Sequence, residues 1–213
     1  MRKAIGIGCV ILGVFCLIVS VGFVLFNHLE DKKAQEASQV VLHSAQHAIQ
    51  EQDIPAQPPI EETDQSVPKA ETEELNPEMS TISVDGYDCI GILSIPVLEL
   101  ELPIFTGWSY EKLKIAPCHY YGSYISGDFV IAGHNYKAHF GRLSELQPQD
   151  LVIFTDAEGT IHQYEVFLLE TLTANATKEM ISSGFDLSLY TCTPGGSNRV
   201  TVRCLAKGFT ESK

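Results

Sequence analysis

The chain has 213 residues, and its 14 Lys and Arg against 27 Asp and Glu leave a formal net charge of −13. That balance argues against a nucleic-acid binder, which would carry a basic patch. Six cysteines without a Cys-x-x-Cys pair do not make a disulfide framework, and Cys89, Cys118 and Cys204 read as buried thiols.

Met1-Arg2-Lys3 precedes an uncharged run from Ala4 to Phe26. As a helix at 1.5 Å per residue this run spans roughly 34 Å, enough for a hydrocarbon core of about 30 Å. A cleaved signal peptide has a shorter apolar core and a small-residue cleavage site. Val21 to Asn27 offers no Ala-x-Ala, so residues 1–27 read as an uncleaved membrane anchor. Arg2 and Lys3 before the span and Lys32 and Lys33 after it nearly balance under the positive-inside rule. The short N-terminal stub then favours a C-terminal portion on the outer side.

Residues 28–50 lack Pro and Gly, and Ala37, Val40, Val41, Ala45, Ala48 and Ile49 recur near helical spacing, as expected of a helical stalk. Residues 51–80 form an acidic, Pro-rich linker. From Glu51 to Met79 there are nine acidic residues against Lys69 alone. Such a stretch cannot bury enough apolar surface to fold, and it stays extended.

The folded domain is expected over residues 81–213, with a core large enough for a single domain. Cys89–Ile95 reads as a strand ended by Pro96, and Leu98–Leu102 alternates strictly. Ser109 is an N-cap for a short helix to Ile115, and His139–Leu146 reads as a second short helix. Asp128–Ala132, Leu151–Phe154 and Gln163–Leu172 read as strands. Phe185–Thr191 and Arg199–Leu205 are the arms of a hairpin around Pro194-Gly-Gly-Ser-Asn198. Seven or eight short strands with short helices between them imply a mainly β, barrel-like fold.

The hairpin carries the chemistry. If Thr193 to Asn198 form its loop, Cys192 and Arg199 face each other with Cβ atoms about 5 Å apart. A guanidinium beside a thiol favours the thiolate, the nucleophilic form. Arg203 is on the same face but about 13 Å further along the strand. A base must come from elsewhere in the chain. His28, His43 and His47 lie in the anchor flank and stalk, and His162 reads as a solvated edge residue. Of His119, His134 and His139, His134 is favoured, because it directly follows the apolar strand Phe129–Ala132 and opens onto a loop. His134, His139 and Cys192 have no recognised zinc spacing.

These residues resemble a known family. Ser188-Leu-Tyr-Thr-Cys192 is similar to the Thr-Leu-x-Thr-Cys signature of sortases, the membrane-anchored cysteine transpeptidases of Gram-positive surfaces. Val130-Ile-Ala-Gly-His-Asn135 resembles their histidine strand, and Arg199-Val-Thr-Val202 their arginine strand. The resemblance covers about Gly86 to Lys207. Ser188 departs from the first Thr of the signature, and the Cys-to-Arg loop is short. The resemblance implies a closed sortase barrel of about eight strands, preceded by a single transmembrane helix. It also implies catalytic residues His134, Cys192 and Arg199. Cys192 would cleave an LPxTG-like sorting signal between Thr and Gly through a thioester. An amine acceptor, a peptidoglycan precursor or a pilin Lys, would resolve it. The alternatives are a cell-wall cysteine peptidase or amidase that uses water, and a non-catalytic anchored binding module. No resident cofactor is implied. Ca²⁺ dependence occurs in some members, but no acidic cluster here assigns it. The short insert between the strands Gln163–Leu172 and Phe185–Thr191 looks more like the compact class D type than class B.

Overall fold

A computed structural model describes residues 2–52 and 79–207. Most of the acidic linker expected over 51–80 lies outside the described residues. Among the described residues there are nine strands: β1 (Ile82–Val84), β2 (Tyr87–Ile95), β3 (Leu100–Phe105), β4 (Cys118–Ser123), β5 (Gly127–Gly133), β6 (Leu151–Asp156), β7 (Ile161–Thr173), β8 (Leu187–Cys192) and β9 (Asn198–Ala206). They pair in the order β1-β2-β3-β4-β5-β8-β9-β7-β6, and β2 also pairs with β6. That last pairing joins the two ends. Strands β2 to β9 therefore close into a ring of eight, and β1 is an added ribbon on β2. The mainly β, closed architecture expected from the sequence is the one observed.

Period-two patterning explains the closure. In β6, Val152, Phe154 and Asp156 point inward while Leu151, Ile153 and Thr155 are half-buried. Ile90, Leu93, Leu102, Phe129, Ile131, Phe154, Leu187, Leu189 and Val202 fill the interior. Most neighbours are antiparallel. The exception that matters is β5 with β8, parallel from Phe129↔Leu187 to Gly133↔Thr191.

One strand goes unread in the sequence and one local expectation is corrected. Cys118–Ser123 is strand β4; its alternation is spoiled by two register shifts against β5, so pairing rather than pattern defines it. His139–Leu146 is not a helix but a wound turn followed by a 3₁₀ turn, Leu143–Glu145. Its amides are tied backward: His139 N and Gly141 N both donate to the Tyr136 carbonyl, at 3.0 and 2.8 Å. The short helices are α2 (Tyr110–Leu113), capped by the Ser109 hydroxyl that accepts from Lys112 N, and α3 (Thr177–Ile181).

The N-terminal helix α1 (Arg2–Gln52) is uninterrupted, so the expected anchor and stalk are one element. Its large apolar side chains from Leu12 to Leu29 are exposed, and it is long and apolar enough to cross a membrane. Further along, Ala34, Ser38, Val41, Leu42, Ala45 and Ile49 are buried, on one helical face. Val41, Leu42, Ala45 and Ile49 pack with Ile82, Val84, Cys89, Ile92 and Phe105 of β1 to β3. The stalk is thus seated on the ring. Cys89, Cys118 and Cys204 are buried free thiols, and burial pushes each up to about 12.

Candidate active site

The hairpin forms with the register that its alternation implied: Leu187↔Cys204 through Cys192↔Arg199. Thr193 N donates to the Asn198 carbonyl (3.0 Å) and Gly196 N to that of Thr193 (2.8 Å), closing the turn. Gly195 and Gly196 both hold positive φ, 85° and 76°, which only glycine adopts without strain. Directly paired residues share a face. Leu187, Leu189, Val202 and Cys204 enter the core, while Ser188, Tyr190, Cys192, Arg199 and Arg203 line the opposite face.

That face floors a cleft of about 170 Å³, where Cys192 and Arg199 meet Trp108, Tyr120, Met180 and Tyr190. Tyr120 meets Tyr190 edge-on with centroids 5.5 Å apart. Cys192 is half-buried. The Arg199 Nη1 donates to the carbonyls of Gly196 and Asn198, both at 3.0 Å, so the turn itself holds the guanidinium. Among the described residues, its Nη2 and Nε have no protein acceptor. A larger cavity of about 400 Å³ between α1 and the ring, at His43, Gln46 and Glu101, lies away from this chemistry.

His134 is the first residue past β5. Because Gly133 pairs with Thr191, the parallel register carries His134 alongside Cys192 at the ends of adjacent strands. Its ring stacks on Tyr136 (3.9 Å, 12°), and its Nδ1 is buried without a hydrogen-bond partner among the described residues. Burial holds the imidazole below its ordinary pKa; a hydrogen bond that the ring donates to the Asn135 side-chain oxygen opposes this, and the Lys114 charge adds to it. The backbone approaches closely here. A Cβ on Gly133 would lie 2.4 Å from the Phe140 ring, and one on Gly141 2.5 Å from the Asn135 carbonyl oxygen. The cleft wall includes Gly133, but the His134 side chain lines a neighbouring cavity of about 580 Å³, shared with Val24, Phe26, Asp31 and Tyr136. Cys192 and Arg199 therefore share one cleft, and His134 opens on the next.

The other histidines of the ring and its loops are bonded or buried elsewhere. His119, in β4, donates from Nε2 to the Gly122 carbonyl at 2.7 Å. His162 pairs with the buried Asp156 at 2.8 Å, which corrects its reading as a solvated edge residue. His139 is fully buried and burial pulls it down to about 4.

Three roles escape the sequence. Arg203 is buried beneath the cleft: Nε pairs with Glu170 (2.7 Å), Nη1 donates to Ser188 Oγ (2.7 Å), and Nη2 to the Glu179 carbonyl (2.7 Å). It clamps α3, whose Thr177 and Met180 form the cleft wall. Tyr136 supplies the stack under His134. Asp31 of α1 bonds to the Ala138 amide, 107 positions away, a separation that no local pattern bridges.

A family model described as the sortase domain matches residues 93–207, more than half of the chain. The chain belongs to the sortase family. Among similar solved structures, sortase A from Corynebacterium diphtheriae is 26% identical, with a TM-score of 0.52 over 60% of this chain and 64% of that one. Sortase C1 from Streptococcus suis is 24% identical, with a TM-score of 0.52 over 58% and 75%. Sortase C from Clostridium perfringens, solved with a C-terminal cell wall sorting motif, is 22% identical, with a TM-score of 0.51 over 57% and 72%. The last two support the sortase fold alone. The chain spans about 64% of the length of the Corynebacterium diphtheriae sortase. No curated protein matches it by sequence.

Proposed function

We propose that this sortase is a cysteine transpeptidase, with Cys192 the nucleophile, His134 the acid and base, and Arg199 the oxyanion partner. The observation that carries the reading is the register that pairs Cys192 with Arg199 and ends β5 beside them at Gly133. The substrate is a surface protein with an LPxTG-like sorting signal. Cys192 Sγ attacks the carbonyl between Thr and Gly, and its proton passes to His134. His134, held below its ordinary pKa and so neutral at pH 7, is ready to accept that proton. It then protonates the departing amine, leaving an acyl thioester. The incoming amine of a peptidoglycan precursor or pilin Lys attacks the thioester and loses its proton to His134, which regenerates the thiol. Arg199 Nη2 and Nε stabilise the oxyanion in both steps, with a charge that Arg does not lose. Helix α1 anchors the enzyme in the cell membrane with residues 81–213 outside as the catalytic domain. Residues 51–80 serve as a linker.

The test is incubation of the full chain with a sorting-signal peptide library, with and without an added amine, followed by mass spectrometry. A thioester trapped on Cys192 and an amine-dependent ligation product are expected. Both should vanish in Cys192→Ala. Release of the same hydrolysed peptide whether or not amine is present would instead assign a peptidase, and absence of any adduct on a folded wild type would refute the reading.

A further inference from the structure

The loop that follows β5 is held from outside itself. Within it, Phe140 N donates to the His134 carbonyl (3.1 Å), and His139 N and Gly141 N to that of Tyr136. The Ala138 amide instead donates to Asp31 Oδ1 on α1, at 3.0 Å. The next residue, His139, is fully buried with its ring beside the backbone of Ala34, one turn along the same helix. The Tyr136 ring lies between His139 (centroids 5.5 Å, edge-on) and His134 (3.9 Å, stacked). An unbroken series of contacts therefore runs from Asp31 and Ala34, through Ala138 and His139, to Tyr136 and the His134 ring. A carboxylate accepting from a backbone amide is among the stronger neutral-donor bonds, and it is directional.

We infer that Asp31 is a positioning residue for the His134 loop, so that the helix emerging from the apolar span is a working part of the catalytic site. Asp31 touches no substrate. It fixes the Ala138 amide, which fixes the turn on which Tyr136 supports His134. This rests on the acid–base role proposed for His134.

The experiment uses the full chain in lipid nanodiscs, as wild type, Asp31→Ala, Asp31→Asn and His134→Ala. Three quantities are read on the same samples: amine transfer to a sorting-signal peptide, hydrogen exchange of the 134–140 amides, and the His134 titration by NMR. In Asp31→Ala the transfer rate should fall about tenfold, in line with the cost of a misplaced catalytic group. KM for the peptide should stay within about twofold, exchange should quicken at Ala138, and the His134 midpoint should rise as the ring gains water. Asp31→Asn, whose Oδ1 still accepts, should recover most of the rate and the protection. Wild-type rates and exchange in Asp31→Ala, with His134→Ala inactive, would overturn the inference and leave the proposed function standing. Equal losses in Asp31→Ala and Asp31→Asn would also overturn it, because the acceptor would then not be what matters. Should wild type itself transfer nothing, the proposed function falls, and exchange at Ala138 with the His134 midpoint still decides the positioning role.

Discussion

Arg199 and Arg203 stand on one face of β9, four residues apart, and the surroundings give them opposite duties. Arg199 is held by turn carbonyls at the rim of the cleft, whereas Arg203 is 1% exposed and grips Glu170, Ser188 and the carbonyls of α3. Removing Arg203 leaves Ser188 Oγ and the α3 carbonyls without their buried donor, while the more exposed Glu170 regains water. Arg203→Met should therefore cost about 3 kcal/mol of stability, whereas Arg199→Ala should change stability by only about 0.5 kcal/mol and abolish turnover. Chemical denaturation beside the transfer assay separates the two; a fully stable Arg203→Met would contradict the clamp. The alternation of β8 and β9 made the shared face legible from sequence. What it could not reveal is the cover: α3 lies in a short segment without periodicity, and only that cover turns Arg203 from a rim residue into a buried one.

At the scale of elements, β5 and its following loop form a rigid end-stop. Phe140 is fully buried with its ring against the bare Cα of Gly133, one residue before His134. The atoms in the way lie near the base of the ring, so it cannot swing aside cheaply. Gly133→Ala should cost about 1–3 kcal/mol by overpacking. The same shift should lower transfer at least about tenfold through displacement of His134. Thermal unfolding and the transfer rate check both, and an unchanged rate would show that the strand end tolerates movement. Strands with strict alternation, such as β6, β8 and β9, were readable because burial on one face dictates the pattern. β4 was not, because its shifts against β5 put Tyr120 and Tyr121 out of phase. The 139–146 segment misled in another way: its apolar spacing fits a helix, but its amides bond to carbonyls three, five or six residues back rather than the four that a helix requires.

On the scale of the whole molecule, the seat between α1 and the ring should make stability sensitive to acid. His139 is buried there, with His134 also disfavouring its charge and Asp31 favouring it. Its folded value of about 4 lies below the ordinary 6.5, so the unfolded chain binds the proton more readily. Its contribution is intact above pH 6.5 and is lost as pH falls toward 4, by about 3 kcal/mol in all. His139→Leu should lose less stability than wild type between pH 7.5 and 4.5, as measured by urea unfolding at each pH; parallel losses would place the acid sensitivity elsewhere. The sequence showed that residues 28–50 were helical but not that they were seated, because the face that packs includes Ser38 and small alanines rather than a broad apolar stripe.

The lack of a break in α1 has a mechanical consequence. If its apolar half lies in a bilayer, the helix is an axle and the ring is fixed to it. A span that tilts to match a thinner or thicker membrane turns the whole ring through the same angle. Lipid composition would then set the direction in which the mouth of the cleft points, and with it which molecules can reach Cys192.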